Sequence, residues 1–218
     1  MSEMASAHKD VINALLDKYG QTYCDELHIP IADNTPSPLF RWLCASILFS
    51  ARIGAAQAVE AAAALSNAGW TTPEKLRDAT WEERVDVLNK NGYARYDEST
   101  SRMLGETAEH LIETYDGDLR NLREEAGQDP ARMRTALKTF KGLGDVGVDI
   151  FFREVQTAWD ELYPFADKKS LDAARELGLP HTAHGLAKHI GKPDYPRLVT
   201  SLVRASLDKS IKEIRRAG

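Results

Sequence analysis

The residues of this chain whose types and spacing could do chemistry are a turn built on three glycines and an aspartate that follows it. The turn is Gly142-Leu143-Gly144-Asp145-Val146-Gly147, and Asp167 closes the segment Pro164-Phe165-Ala166-Asp167 twenty residues later. A tight turn into a helix leaves the first backbone N–H groups of that helix without intrahelical partners, and the helix dipole makes them a site for anions such as a phosphate. A carboxylate can stabilise the cationic, oxocarbenium-like sugar formed when an N-glycosidic bond is hydrolysed, and can assist the attacking water or a covalent step. Each feature also has a plainer reading. The turn can be an ordinary glycine connection between packed helices, and Asp167 can be the N-cap of a helix over 168–177. Dinucleotide binding is disfavoured because its glycine motif must follow a strand, whereas 132–140 is helical in pattern.

The elements that must position these residues read as short helices. Met133, Leu137 and Phe140 recur at helical spacing before the turn, and Val146, Ile150, Phe151 and Val155 after it. Ser37-Pro38, Thr72-Pro73 and Asp129-Pro130 give cap-and-proline helix starts. Thr80-Trp81-Glu82-Glu83 fits a capping box. Residues 55–64 are alanine-rich and helix-forming, Gly69 and Asn91-Gly92 mark helix ends, and Asp116-Gly117 marks a turn. Residues 181–193, with Gly185, Gly191 and Pro193, read as a loop. Alternating strand patterns are not evident, so the expected class is all-α.

From residue 38 to 179 the chain resembles the endonuclease III superfamily of helix-hairpin-helix DNA glycosylases. The run from Pro38 to Arg52 is similar to the opening helix of that family, which usually ends in Leu-Ser-x-Gln. The run from Phe140 to Asp149 is similar to its Leu-Pro-Gly-Val-Gly-x-Lys-Thr-Ala hairpin. Phe165-Ala166-Asp167 is similar to its Val-Asp-Thr-His segment, and 171–179 to its Arg-x-x-x-x-Leu-Gly-Leu helix. The resemblance implies two helical lobes. One is a six-helix barrel over 37–158 carrying the hairpin; the other is formed by 1–36, including a helix over 5–19, and 159–218, with Asp167 at the cleft between them. It implies a DNA repair glycosylase that flips and excises a damaged or mismatched base from duplex DNA, with Asp167 catalytic. Gly142, Leu143, Gly144, Val146 and Gly147 would meet phosphate, and Arg52 would fill the gap left by the flipped nucleotide.

The departures from that pattern refine the expectation. Bifunctional members carry a Schiff-base lysine where this chain has Val146, so a monofunctional glycosylase without the lyase step is implied. Lys168 and Lys169, beside Asp167, could supply an amine, contact phosphate, or simply be solvated. The four-cysteine iron–sulfur cluster of many members is excluded, because only Cys24 and Cys44 are present. Asp145 is an acid at a phosphate site and either points away or weakens the grip on DNA. A helix-hairpin-helix DNA-binding protein without catalysis is the alternative.

Composition agrees with an ordinary globule: 43% hydrophobic and 28% charged residues in 218. No membrane span, signal pattern or disulfide framework is read from the sequence, so a cytoplasmic monomer without cofactor or metal is expected. His181, His184 and His189 lack the neighbouring ligands of a metal site. The net charge of −5 is unevenly spread. Residues 1–130 carry 12 basic and 22 acidic side chains, whereas 131–218 carry 16 and 11. The part that holds the turn and Asp167 is therefore the basic one, as phosphate contact requires. Trp42, Phe49, Tyr93, Tyr96 and Phe165 are the aromatic candidates for stacking on bases.

Overall fold

The structure, a computed structural model, describes the backbone of residues 2–93 and 97–217 and the side chains from residue 7 onward. Every regular element among them is helical. The principal helices are α1 (Ser2–Tyr19), α2 (Tyr23–Glu26), α3 (Pro36–Ser50), α4 (Ala55–Asn67), α5 (Pro73–Asp78), α6 (Trp81–Leu88), α7 (Asp97–Tyr115), α8 (Leu119–Glu125), α9 (Pro130–Leu137), α10 (Asp145–Val155), α11 (Lys168–Glu176), α12 (Ala183–Ala187), α13 (Tyr195–Leu207) and α14 (Ile211–Ala217). The chain is all-α. No described helix is long and apolar enough to cross a membrane.

The local signals explain most of the boundaries. Thr72 and Asp129 cap α5 and α9, their side chains accepting from Lys75 N and Arg132 N, with Pro73 and Pro130 in the first turns. Thr80 and Glu83 form a reciprocal box at α6, with Glu83 N to Thr80 Oγ1 at 3.1 Å and Thr80 N to Glu83 Oε2 at 2.7 Å. Two starts differ from expectation. α3 begins at Pro36, not after Ser37, because the earlier proline already holds a first-turn φ; Ser37 Oγ instead donates to Thr71 O at 2.8 Å. The segment 181–193 is also not all loop. Thr182 Oγ1 accepts from Gly185 N, and burial of Leu186 holds the short helix α12.

The chain divides into two compact units, Leu27–Phe151 and the discontinuous pair Met1–Glu26 with Phe152–Gly218. Both divisions fall earlier in the chain than residues 37 and 159. Side-chain bonds account for this. Arg41 on α3 donates to the carbonyls of Leu27 and His28, which ties that stretch to the first unit. Arg153, Glu154 and Gln156 bond within the second.

In the Leu27–Phe151 unit, α7 packs on α5 and α6, and α3 on α4 and α8. Leu39, Leu43, Leu48, Leu104, Leu111, Leu122 and Met133 are buried there. A buried cation also belongs to this interior. Arg84 Nη1 donates to Leu76 O at 3.1 Å and Ala79 O at 2.6 Å, and Nε donates to Ser101 O at 3.1 Å. Burial lowers the pKa of this guanidinium. The carbonyls at the C-terminal end of α5 are the negative end of its dipole, so they suit a cation that has no carboxylate partner among the described residues. In the other unit, Leu15 of α1 packs with Leu198, Val199 and Leu202 of α13 and with Ala174 of α11. Arg84→Ala is expected to cost about 3 kcal/mol, because it strips three buried carbonyls of their donor. Urea denaturation measures this, and a loss near zero would show that the carbonyls find other partners.

Candidate nucleic-acid interface

In the Leu27–Phe151 unit the 142–147 turn is exposed apart from Leu143 and Gly147, which point into the interior. Two of its three glycines are required, for different reasons. Gly142 has φ +81°, and a Cβ there would lie 2.7 Å from Met103 Sδ and 3.2 Å from Ile47 Cγ2. A Cβ on Gly147 would meet Leu143 Cδ1 at 2.7 Å, so this glycine lets the turn fold back on its own leucine. Gly144 has neither constraint, since nothing lies within 4 Å of a Cβ placed on it.

Gly144 O accepts from Val148 N at 3.0 Å, the first bond of α10. The N–H groups of Asp145, Val146 and Gly147 therefore form the helix start that α10 cannot satisfy from within. Val146 is 63% exposed. Two exposed cations lie near the turn, one directly before it in the chain and one two residues beyond Ser50. Lys141 is exposed and forms no ion pair among the described residues. Arg52, likewise exposed and unpaired among them, lies in the bend after α3, and Ser50 of that helix donates through Oγ to Gly142 O at 3.2 Å. The structure thus brings the end of α3 to the glycine turn. Lys141 was missed by sequence reasoning, although it immediately precedes Gly142.

Asp145 points back toward α9. Its Oδ1 accepts from Lys138 Nζ at 2.8 Å and lies 4.0 Å from Arg134 Nη1. The Lys138 hydrogen bond holds the Asp145 carboxyl below the usual carboxylate range. One turn further along α10, Asp149 Oδ1 accepts from Arg134 Nη2 at 2.6 Å.

In the other unit, Asp167 is the N-cap of α11, Oδ1 accepting from Ser170 N at 2.8 Å. Its second oxygen is also engaged: Oδ2 accepts from Arg153 Nε at 2.8 Å and from Nη2 of the same guanidinium. Both side chains are about as buried as charges become, 5% exposed for Arg153 and 4% for Asp167. Lys168 pairs with Asp172 at 2.5 Å on the surface of α11, and Lys169 is exposed. Of the aromatic candidates, Trp42 and Tyr93 are interior residues that cannot reach a base. The Trp42 indole donates to Phe151 O at 3.0 Å, and the Tyr93 hydroxyl to Leu48 O at 2.9 Å. Phe49 and Phe165 are half-buried, and Tyr96 lies outside the described residues. His189 packs edge-on against His8, with ring centroids 5.0 Å apart.

No family model, curated protein or solved structure matches the chain. The physical reading of the two sites therefore stands on its own. A carboxylate whose oxygens are taken by a buried guanidinium and a helix amide presents no net negative charge to a developing cation beside it. Arg153→Met alone strands the Asp167 carboxylate and is expected to cost about 3–5 kcal/mol. Arg153→Met combined with Asp167→Leu should recover most of this, leaving a deficit of about 1 kcal/mol for the lost cap. Denaturation midpoints of the two singles and the double measure the coupling, and additive losses would mean that the two side chains do not depend on each other.

Proposed function

We propose that this chain binds double-stranded DNA through the 142–147 turn and does so without excising a base. The observation that carries the proposal is a contrast. Asp145 and Val146 at the start of α10 are exposed, with the exposed Lys141 directly before the turn and Arg52 two residues beyond Ser50, whereas both oxygens of Asp167 are bonded within the fold. Backbone amides and flanking cations recognise a phosphate without reading sequence, so the expected partner is duplex DNA held by its backbone. A damaged or mismatched base opens most cheaply, which would favour such duplexes even without catalysis.

Base excision by Asp167 is the second reading. It is favoured by the position of this aspartate, at the head of a helix twenty residues beyond Gly147. It requires Arg153 to release the carboxylate, which would leave the guanidinium buried and unpaired. A monofunctional enzyme would result, because Val146 offers no amine.

Gly144→Asp separates the binding role from folding. The new side chain has room, and an aspartate at this position caps α10, so melting temperature should hold or rise. A carboxylate in front of the amides should weaken binding of a 20-base-pair duplex by roughly tenfold or more at low salt, read by fluorescence anisotropy. Wild-type protein should leave duplexes carrying uracil, a thymine–guanine mismatch, alkylated purines or oxidised pyrimidines intact after hot alkali. Alkali-dependent breaks that disappear in a folded Asp167→Asn variant would establish the excision reading instead. Failure of the wild type to bind at low salt would remove DNA as the partner.

A further inference from the structure

We infer that Asp145 is an intramolecular stand-in for a DNA phosphate, holding Lys138 in cis, so that duplex binding must first displace it. This rests on the duplex-binding reading and concerns how strongly the turn grips. Asp145 and Asp149 are four residues apart on α10 and therefore share a face of that helix; Arg134 and Lys138 are four apart on α9 and share one there. The two faces meet as a ladder of acid on base, with Lys138 Nζ to Asp145 Oδ1 at 2.8 Å and Arg134 Nη2 to Asp149 Oδ1 at 2.6 Å.

The rungs differ in their surroundings. The Arg134–Asp149 rung is 29% exposed on both sides. The Lys138–Asp145 rung is open, with Lys138 43% and Asp145 69% exposed, so water and salt screen it and a competing anion can exchange with it. Asp145 also occupies the first residue of α10, where its negative charge repels any phosphate approaching the amides. The Lys138 hydrogen bond keeps the Asp145 carboxyl below the usual carboxylate range, so it is charged at neutral pH. The acid therefore withholds one cation from DNA and adds one repulsive charge, leaving Lys141 and Arg52 as the cations available at the turn.

The test is Asp145→Asn, with Lys138→Gln/Asp145→Asn as its control, measured by anisotropy on a 20-base-pair duplex over a salt series. Asp145 is exposed, so melting temperature should change little. The single variant should bind about tenfold tighter than wild type at low salt. Its plot of log affinity against log salt should steepen by about 0.9, the increment for one further phosphate contact. The double variant should lose that increment in slope. Affinity and slope equal to wild type in Asp145→Asn, while Gly144→Asp still weakens wild-type binding, would overturn the role of Asp145 and leave the duplex-binding reading standing. No binding by wild type or Asp145→Asn at low salt would overturn both.

Discussion

A guanidinium taken out of water must have its N–H groups and charge met within the fold; at Arg153 the Asp167 carboxylate does this, and that pairing organises the Met1–Glu26 and Phe152–Gly218 unit. Arg153 sits in the last turns of α10 and meets Asp167 at the first turn of α11. Its neighbour Glu154 is equally buried and accepts from Tyr23 N at 2.9 Å, Cys24 N at 2.7 Å and Thr200 Oγ1 at 3.1 Å. Gln156 bonds to both the N–H and the C=O of Phe165. The apolar contacts between α1 and α13 are non-directional and would tolerate sliding. The polar bonds would not, because each leaves an unsatisfied group if it shifts. Glu154 in particular fixes α2 against a segment 130 residues away in the chain.

The same bonds decide what Asp167 can do. Its position in the sequence suits a nucleophile or an electrostatic stabiliser, and its immediate surroundings suit neither. Stabilising an oxocarbenium-like sugar needs a carboxylate whose charge is unspent. At Asp167 the charge already neutralises Arg153, and the remaining oxygen caps a helix. Any catalytic use would trade a satisfied buried pair for a stranded cation, a cost of the same order as the stability of a small domain.

Much of the fold was legible because helix starts are written locally. The side-chain oxygens of Thr72, Thr80 and Asp129, with a proline after the first and last of them, need only the next three residues to act, so the sequence contains the whole interaction. Where two starts competed, at Pro36 and Ser37-Pro38, the choice depended on Ser37 finding Thr71 O across the unit, which no local pattern announces. The candidate site was less legible for the same reason. The spacing of Asp167 was visible, but its partner Arg153 was not. A signal did exist in the polar residues 153, 154 and 156, which follow directly on the apolar run 150–152 and had to be buried with partners or not at all. Trp42 and Tyr93 show the converse. Their type allowed stacking on a base, yet an indole or phenol with a buried backbone acceptor is committed to the interior.

The glycine turn divides what the fold needs from what it leaves free. Gly142 and Gly147 are fixed by dihedral angle and by contact with Met103, Ile47 and Leu143, so their presence would be expected whether or not anything binds. Gly144 is under no such demand, and a serine, threonine or aspartate there would cap α10 better. A capping oxygen, however, would accept from one of the amides that the helix start otherwise leaves open. The glycine thus forgoes a stabilising cap at the one position in the turn where a cap would compete with an external anion. The acid that the turn does carry, Asp145, faces α9 instead of those amides. Together these choices leave the first amides of α10 without a side-chain cap from Gly144 while placing a negative charge beside them. A surface built this way would hold phosphate weakly and reversibly, with the strength of its grip set by a single exposed carboxylate.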